Sequence, residues 1–243
     1  MLEPAASPRT RPEQMTQPSL VIFDFDGTLV DSEILAARIE ADLLTKAGFA
    51  ISGEELSESY AGLTFKDILL RIEEVSEVPL SASLIGEAEA LVDRKLRRDV
   101  QIIEGADAAV VAAGARKCIC SNSRTERIRF MLDRTGLGRR FGSEEVFSAL
   151  ETPSGRPKPA PDVFLHAAAH FGADPARTFV VEDSVHGIHG AKAAGMRVIG
   201  FTGAAHSYPG HADALTDAGA ETVIRRWADF GGVLAALQEW SDA

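Results

Sequence analysis

A short apolar segment that ends in two aspartates constrains the fold of this chain more than any other feature. Residues 20–23 are all apolar, and Asp24, Phe25 and Asp26 follow directly, before a Gly-Thr pair. The run is rich in β-branched and aromatic residues and too short for a typical helix, which predicts a buried β-strand. Because side chains alternate along a strand, we expect Asp24 and Asp26 to share one side. The strand therefore presents two carboxylates at its C-terminal end.

The rest of the chain changes its pattern near residue 105. Apolar residues at helical spacing predict four helices within residues 31–98, with no convincing strand between them. After Gly105, predicted helices alternate with short apolar strands at 117–121, 146–149, 178–181, 197–200 and 222–224. Such alternation predicts an α/β fold: a Rossmann-like, doubly wound parallel sheet with helices on both faces. Ligands of these sheets bind at the C-terminal ends of the strands.

This pattern predicts three segments. Residues 20–30 and 105–243 form the α/β core domain, and residues 31–104 form a helical domain inserted after the first strand. The proline-rich residues 1–19 are expected to be a disordered extension, and either Met1 or Met15 could be the biological start.

Composition excludes several classes of partner. The formal net charge of -11 argues against non-specific binding to nucleic acid or to an anionic membrane, which depends on clustered Lys and Arg. Residues 1–19 contain no apolar stretch of the kind found in a secretory signal or a membrane span. Cys118 and Cys120, alone in the chain, are interpreted as buried thiols, which fits a cytoplasmic protein. The sequence gives no oligomeric state, and a monomer is favoured.

Three later segments place polar side chains where predicted strands end or on a stiff loop. They are Ser121-Asn122-Ser123, Lys158 between two prolines, and Glu182-Asp183-Ser184. Serine hydroxyls and helix amides suit a phosphate, a fixed ammonium suits developing negative charge, and paired acids suit a hard cation. Each segment alone also has a plain structural interpretation. Ser123-x-x-Glu126 matches a helix capping box, Lys158 could be a surface charge, and Asp183 or Ser184 could cap a helix.

In their order and setting, the four segments resemble the motifs of the haloacid dehalogenase superfamily. Asp24-Phe25-Asp26-Gly27-Thr28 is similar to the first motif, Ser121-Asn122-Ser123 to the second, Lys158 to the third and Glu182-Asp183-Ser184 to the fourth. The inserted helices resemble the cap domain of the subgroup that contains β-phosphoglucomutases and phosphoglycolate phosphatases. Four ordered motifs are far more specific than any one of them.

The resemblance implies a role for each motif residue. Asp24 would be the nucleophile that forms an aspartyl-phosphate, and Asp26 would act as general acid and then general base. Ser121, Asn122 and Lys158 would hold the phosphoryl group.

The resemblance also implies a metal site and a specificity region. Mg²⁺ would be held by Asp24, the Asp26 carbonyl and Asp183, together with Glu182. In the cap, Thr64 and Lys66 would face the leaving group, although Lys66 could equally be an exposed lysine at a helix start.

The favoured function is that of a magnesium-dependent phosphatase of small phosphorylated metabolites, with a sugar phosphate or sugar-acid phosphate as substrate. Asp26 argues against a dehalogenase, which generally lacks the second aspartate of the first motif. A phosphomutase of the β-phosphoglucomutase type is the second hypothesis, weakened because Ala36 stands where those enzymes usually carry a histidine. A catalytically silent binding protein is the third hypothesis.

Overall fold

The structure is a computed structural model that describes residues 18–60, 63–76, 78 and 81–241. Most of the predicted N-terminal extension therefore lies outside the described residues. Its last residue, Ser19, already belongs to the folded core, because its amide donates to the Arg177 carbonyl at 2.8 Å. The Ser19 hydroxyl also accepts a hydrogen bond from the Asp174 amide.

Six parallel strands form one sheet in the order β3-β2-β1-β4-β5-β6. The four residues of β1 have no exposed surface, as expected for a central strand covered on both faces. The predicted parallel α/β sheet is therefore confirmed. Its strands are β1 (Leu20–Phe23), β2 (Lys117–Ser121), β3 (Val146–Ser148), β4 (Thr178–Glu182), β5 (Arg197–Phe201) and β6 (Thr222–Ile224).

Helices cover both faces of this sheet, as the Rossmann-like prediction requires. One face packs against α5 (Ala106–Ala112), α6 (Thr125–Thr135) and α10 (Phe230–Ser241). The other face packs against α7 (Asp162–Phe171), α8 (Val185–Ala193) and α9 (His211–Asp217). Alternate residues of β1 enter the two cores: Val21 and Phe23 lie in one, Leu20 and Ile22 in the other.

Four helices are inserted between β1 and α5. They are α1 (Glu33–Lys46), α2 (Gly53–Ser59), α3 (Phe65–Val75) and α4 (Ser83–Asp99). The first three helices and the start of α4 enclose a small apolar core, whereas the second half of α4 packs into the larger core beside α6. The two segments that connect the insert to the sheet bond to each other, with the Asp31 amide donating to the Gln101 carbonyl at 3.0 Å.

Two local details differ from the sequence prediction. Helix α9 was not predicted, because its buried side chains are only His211 and Leu215, too few to give a helical apolar period. The capping box predicted at Ser123 is wrong: α6 follows Arg124, and the Thr125 amide instead donates its hydrogen bond to the Glu151 carboxylate. Within the described ranges, no helix has the length and apolar character needed to cross a bilayer.

Candidate active site

Asp24 and Asp26 lie directly beyond the C-terminal end of β1, where a tight turn follows. The Asp24 amide donates to the Val181 carbonyl of β4, which fixes the first aspartate between two central strands. The chain then reverses at Gly27, whose φ of +75° is a conformation that favours glycine. Phe25, which separates the two aspartates in the sequence, is fully buried in the larger core.

Lys158 reaches this strand end from the proline-rich loop. Its Nζ lies 2.6 Å from Asp24 Oδ1 and 2.5 Å from Glu182 Oε1, and its side chain is almost completely buried. Burial alone would lower the pKa of Lys158, but the carboxylates of Asp24 and Glu182 hold that pKa above its usual range. Burial, followed by the charge of Glu182, raises the pKa of Asp24. The ammonium therefore partly neutralises a dense group of acids.

Asp26 is held by two hydroxyl groups. Ser121 Oγ at the end of β2 donates to Asp26 Oδ2 at 3.0 Å. Ser32 Oγ, just before α1, donates to Asp26 Oδ1 at 2.8 Å. Both carboxylate oxygens of Asp26 thus have fixed directions. Ser32 was not predicted as a site residue.

Asn122 fixes the loop that carries the lysine. The Lys158 amide donates to Asn122 Oδ1 at 2.9 Å, and Asn122 Nδ2 lies 3.5 Å from the Lys158 carbonyl oxygen. The second and third segments singled out in the sequence are therefore joined to each other as well as to the first.

The acidic pair after β4 completes the site. Glu182 Oε2 accepts from the amide and the hydroxyl of Ser184, at 3.2 and 3.0 Å. A Cβ on Gly187 would overlap the Glu182 carboxylate, so this glycine lets α8 approach the strand end. Asp183 Oδ1 accepts from Thr28 Oγ1 at 3.1 Å.

Three of these carboxylates could bind one cation. Oxygens of Asp24, Glu182 and Asp183 all lie within 4.8 Å of one another, and all three residues are buried. A set of carboxylate oxygens without sulfur or nitrogen suits a hard cation such as Mg²⁺. The donors present therefore fit the predicted metal.

Two histidines that were not predicted as site residues also contact Asp183. His206 Nε2 lies 2.9 Å from Asp183 Oδ2, and His211 Nε2 lies 2.7 Å from the Asp183 carbonyl oxygen. Although burial opposes it, the hydrogen bond and charge of Asp183 raise the pKa of His206 to about 9. Burial lowers the pKa of His211. Their position after β5 was the available signal, because that strand ends at the same edge of the sheet.

The two predicted cap residues are not brought into this cluster. Thr64 is exposed and caps α3, with its hydroxyl accepting from the Asp67 amide and donating to the Asp67 carboxylate. Lys66 is exposed in the first turn of α3. Within the described part of the chain, no hydrogen bond or ion pair joins either residue to the strand-end carboxylates.

The fold and these contacts define an α/β enzyme with a carboxylate-rich site at the C-terminal edge of a parallel sheet. A family model described as haloacid dehalogenase-like hydrolase matches residues 21–201, which include all four motif segments. The chain therefore belongs to the haloacid dehalogenase-like hydrolase family.

Three similar proteins illustrate the match. The 6-phosphogluconate phosphatase of Escherichia coli K12 is 29% identical over 80% of this chain and 87% of its own length. A haloacid dehalogenase-like protein of unknown function from Agrobacterium tumefaciens is 56% identical, with a TM-score of 0.87 over 90% of this chain and 98% of that one. A family hydrolase from Deinococcus radiodurans with bound phosphate and sodium is 30% identical, with a TM-score of 0.77 over 93% and 97%. The expected enzyme class, a phosphatase of this family, is confirmed.

Proposed function

We propose that this enzyme is a magnesium-dependent phosphatase of small phosphorylated metabolites, acting on a sugar phosphate or sugar-acid phosphate through an aspartyl-phosphate. The observation that carries the proposal is the Asp24 carboxylate, held against Lys158 Nζ at 2.6 Å at a strand end where Glu182 and Asp183 converge. Buried carboxylates with perturbed pKa values cluster at functional sites, which supports a role for Asp24 as the nucleophile.

The reaction uses the two aspartates unequally. A free oxygen of Asp24 attacks phosphorus, and the bond from phosphorus to the leaving oxygen breaks as that oxygen receives a proton from Asp26. Asp26 then takes a proton from water, whose oxygen attacks the phosphorus of the acyl phosphate. Inorganic phosphate leaves, and the Asp24 carboxylate is restored. The two hydroxyls on Asp26, from Ser32 and Ser121, hold its proton-transferring oxygens in place.

Charge on the transferring phosphoryl group is balanced by fixed groups of the chain. The Lys158 ammonium, oriented by its two carboxylates and by Asn122, supplies positive charge without reorganisation. Mg²⁺ bound by Asp24, the Asp26 carbonyl, Glu182 and Asp183 would offset the repulsion between a carboxylate and a phosphate dianion. The phosphate and sodium in the Deinococcus radiodurans structure support an anion and a cation site in this fold.

The substrate class is proposed from the similarity to a 6-phosphogluconate phosphatase and from the inserted cap. Contacts of Thr64 and Lys66 with the leaving group stay a prediction. So do the domain boundaries, a cytoplasmic location and a monomeric state.

A phosphomutase is the less favoured alternative. Ala36 is partly buried against the larger core and offers no group that could move a proton between sugar hydroxyls. A silent binding protein is disfavoured because Asp24, Asp26, Lys158 and Asp183 are all present and in contact with site partners.

The deciding experiment measures phosphate release from a panel of sugar and sugar-acid phosphates, with and without Mg²⁺. We expect Mg²⁺-dependent release that Asp24→Asn lowers by at least about a thousandfold, because the nucleophile is lost while the side-chain shape is kept. Asp213→Asn, on the exposed surface of α9, is the matched control and should leave the rate unchanged.

Two outcomes would contradict the proposal. Release that survives Asp24→Asn would exclude Asp24 as nucleophile. Isomerisation of a sugar phosphate without net phosphate release, followed by phosphorus NMR, would establish the mutase instead.

A further inference from the structure

The loop after β5 forms one wall of the site although no motif marks it. Residues 202–210 leave the C-terminal end of β5 and lead into α9. The loop touches the start of the insert, where the Ala205 amide donates to Asp31 Oδ1 at 3.1 Å. His206 of this loop contacts Asp183, and so does His211, the first residue of α9. The loop is therefore in contact with both the connection to the cap and a candidate metal ligand.

Asp183 is held at three points. Thr28 Oγ1 donates to Oδ1 at 3.1 Å, His206 Nε2 lies 2.9 Å from Oδ2, and His211 Nε2 lies 2.7 Å from the backbone oxygen. Each carboxylate oxygen can accept more than one bond, so both keep capacity for a cation. The contacts of Thr28 and His206 fix the plane of the carboxylate without using up its oxygens, and His211 holds the backbone of Asp183.

The surrounding packing keeps the two imidazoles in place. Tyr208 stacks on His211 with ring centroids 4.6 Å apart, and the His206 ring lies edge-on to His211 at 5.8 Å. Only 14% of the His206 side chain is exposed. A Cβ on Gly27 would lie 2.6 Å from His206 Cε1, so the first motif leaves room for this ring.

We propose that His206 is a positioning residue that donates from Nε2 to Asp183 and thereby orients this carboxylate for the divalent cation. The inference rests on the proposed metal-dependent function and adds a residue to it. Outer partners of metal-ligating carboxylates restrict the ligand to its binding orientation, and their loss typically weakens metal binding about 10- to 100-fold. His206 meets the geometric condition for that role, because its donor faces one oxygen while Thr28 holds the other.

The test measures binding of Mg²⁺ alone, by calorimetry and by the rise in melting temperature, so that no turnover is needed. We expect His206→Ala to weaken Mg²⁺ binding at least about tenfold. His206→Gln, which keeps an N–H donor near the Nε2 position, should stay within about threefold of the unchanged protein. His189→Ala, an exposed histidine of α8, is the matched control.

Kinetics separate positioning from a purely structural role. The Mg²⁺ concentration for half-maximal phosphate release should rise by the same factor in His206→Ala, while the rate at saturating Mg²⁺ falls less than about threefold. Equal or tighter Mg²⁺ binding by His206→Ala would overturn the inference. Failure of His206→Gln to restore binding would overturn it too, because the donor would then not be what matters.

A measurement on the unchanged protein covers the case in which the variants fail to fold. In ¹⁵N NMR of the imidazoles with and without Mg²⁺, the His206 Nε2–H should remain hydrogen bonded in the metal-bound state. Its release on Mg²⁺ addition would show that the cation displaces His206, and would contradict the role. If the unchanged protein binds no divalent cation, the proposed function fails; if it binds and His206→Ala binds equally, only this inference fails.

Discussion

Lys158 shows how single residues set the chemistry of this site. Its ammonium is buried, and two carboxylates lie within 2.6 Å of it. Removing one partner from such a group destabilises the protein, because it leaves a buried charge unpaired. Replacing all the charged partners by apolar side chains, in contrast, often leaves the protein equally stable. The arrangement is therefore better explained by function than by stability. The same contacts that neutralise Asp24 also hold it in one orientation before substrate arrives.

Gly27 gives a prediction at the residue scale. A methyl group there would overlap Asp183 Oδ2, and the φ of +75° is strained for any other residue. We expect Gly27→Ala to lower the free energy of unfolding by roughly 2–5 kcal/mol and to abolish phosphate release. Urea unfolding and the phosphate assay measure the two effects.

Gly172→Ala is the matched control, because its φ is +55° but its Cβ would meet no atom within 4 Å. It should cost only the backbone strain of about 1–2 kcal/mol and keep full activity. Equal losses in both variants would show that strain, and not the crowding of Asp183, makes Gly27 necessary.

At the scale of elements, the insert and the sheet domain meet where α1 and α4 approach α6. Arg127 Nε of α6 donates to Asp93 Oδ1 of α4 at 2.7 Å. Glu40 of α1 is half-buried in the same region, and the Arg127 charge acts on it. Burial raises the pKa of Glu40 to about 7, and the Arg127 charge only partly opposes this. This junction therefore carries a carboxyl group, that of Glu40, whose ionisation is less favourable in the folded state than in the unfolded state.

The free energy of unfolding should depend on the ionisation of Glu40 between about pH 4.5 and 7. A carboxyl whose pKa is higher in the folded state binds its proton more tightly there, so stability falls as pH rises through this window. We expect Glu40→Gln to make the free energy of unfolding less dependent on pH in this window. At pH 8 the substitution should stabilise the protein by on the order of 1–3 kcal/mol.

Urea unfolding at several pH values checks this prediction. Glu73→Gln, an exposed position of α3, is the control and should change stability by less than about 0.5 kcal/mol. A Glu40→Gln profile parallel to that of the unchanged protein would contradict the assignment.

At the scale of the whole molecule, the described residues form two large apolar clusters against the sheet and a third within the insert. Ile72 of α3 is fully buried in the small third cluster. Leu96 of α4 is buried in a large cluster with residues of α6 and the sheet. The inserted helices are therefore divided between an independent core and one that they share.

Hydrogen exchange should reveal this division. Ile72→Ala and Leu96→Ala should each cost about 2–5 kcal/mol of local or global stability. We expect faster amide exchange in Ile72→Ala to be confined to α1–α3 and the start of α4, because Leu84 and Ile85 pack against the same cluster. In Leu96→Ala it should instead affect the second half of α4 and α6. Leu70→Ala, at a residue of α3 that is 50% exposed, is the control and should change little. Exchange that spreads over the sheet in Ile72→Ala would contradict separate cores.

The sequence by itself determined the sheet, the insert and the ordered motif segments, because burial imposes a period on apolar side chains. Strand β1 and the turn at Gly27 follow from residues that are adjacent in the chain. The local pattern was also sufficient to place Asp24 and Asp26 at a strand end. Lys158 and Asp183 were assigned through the resemblance of the ordered motifs to a known family. Each of these inferences used local pattern or motif order.

Only the tertiary structure decided which loops meet those strand ends. His206 contacts Asp183 from 23 positions away (206 − 183), across β5, and Ser32 bonds Asp26 from the start of the insert. Asn122 Oδ1 accepts a hydrogen bond from the backbone amide of Lys158, 36 residues further along the chain. Apolar periodicity reports which side chains face a core, but it carries no information on which polar side chains of separate loops come together. Those contacts arise from packing, and they complete the site around Asp24 and Asp26.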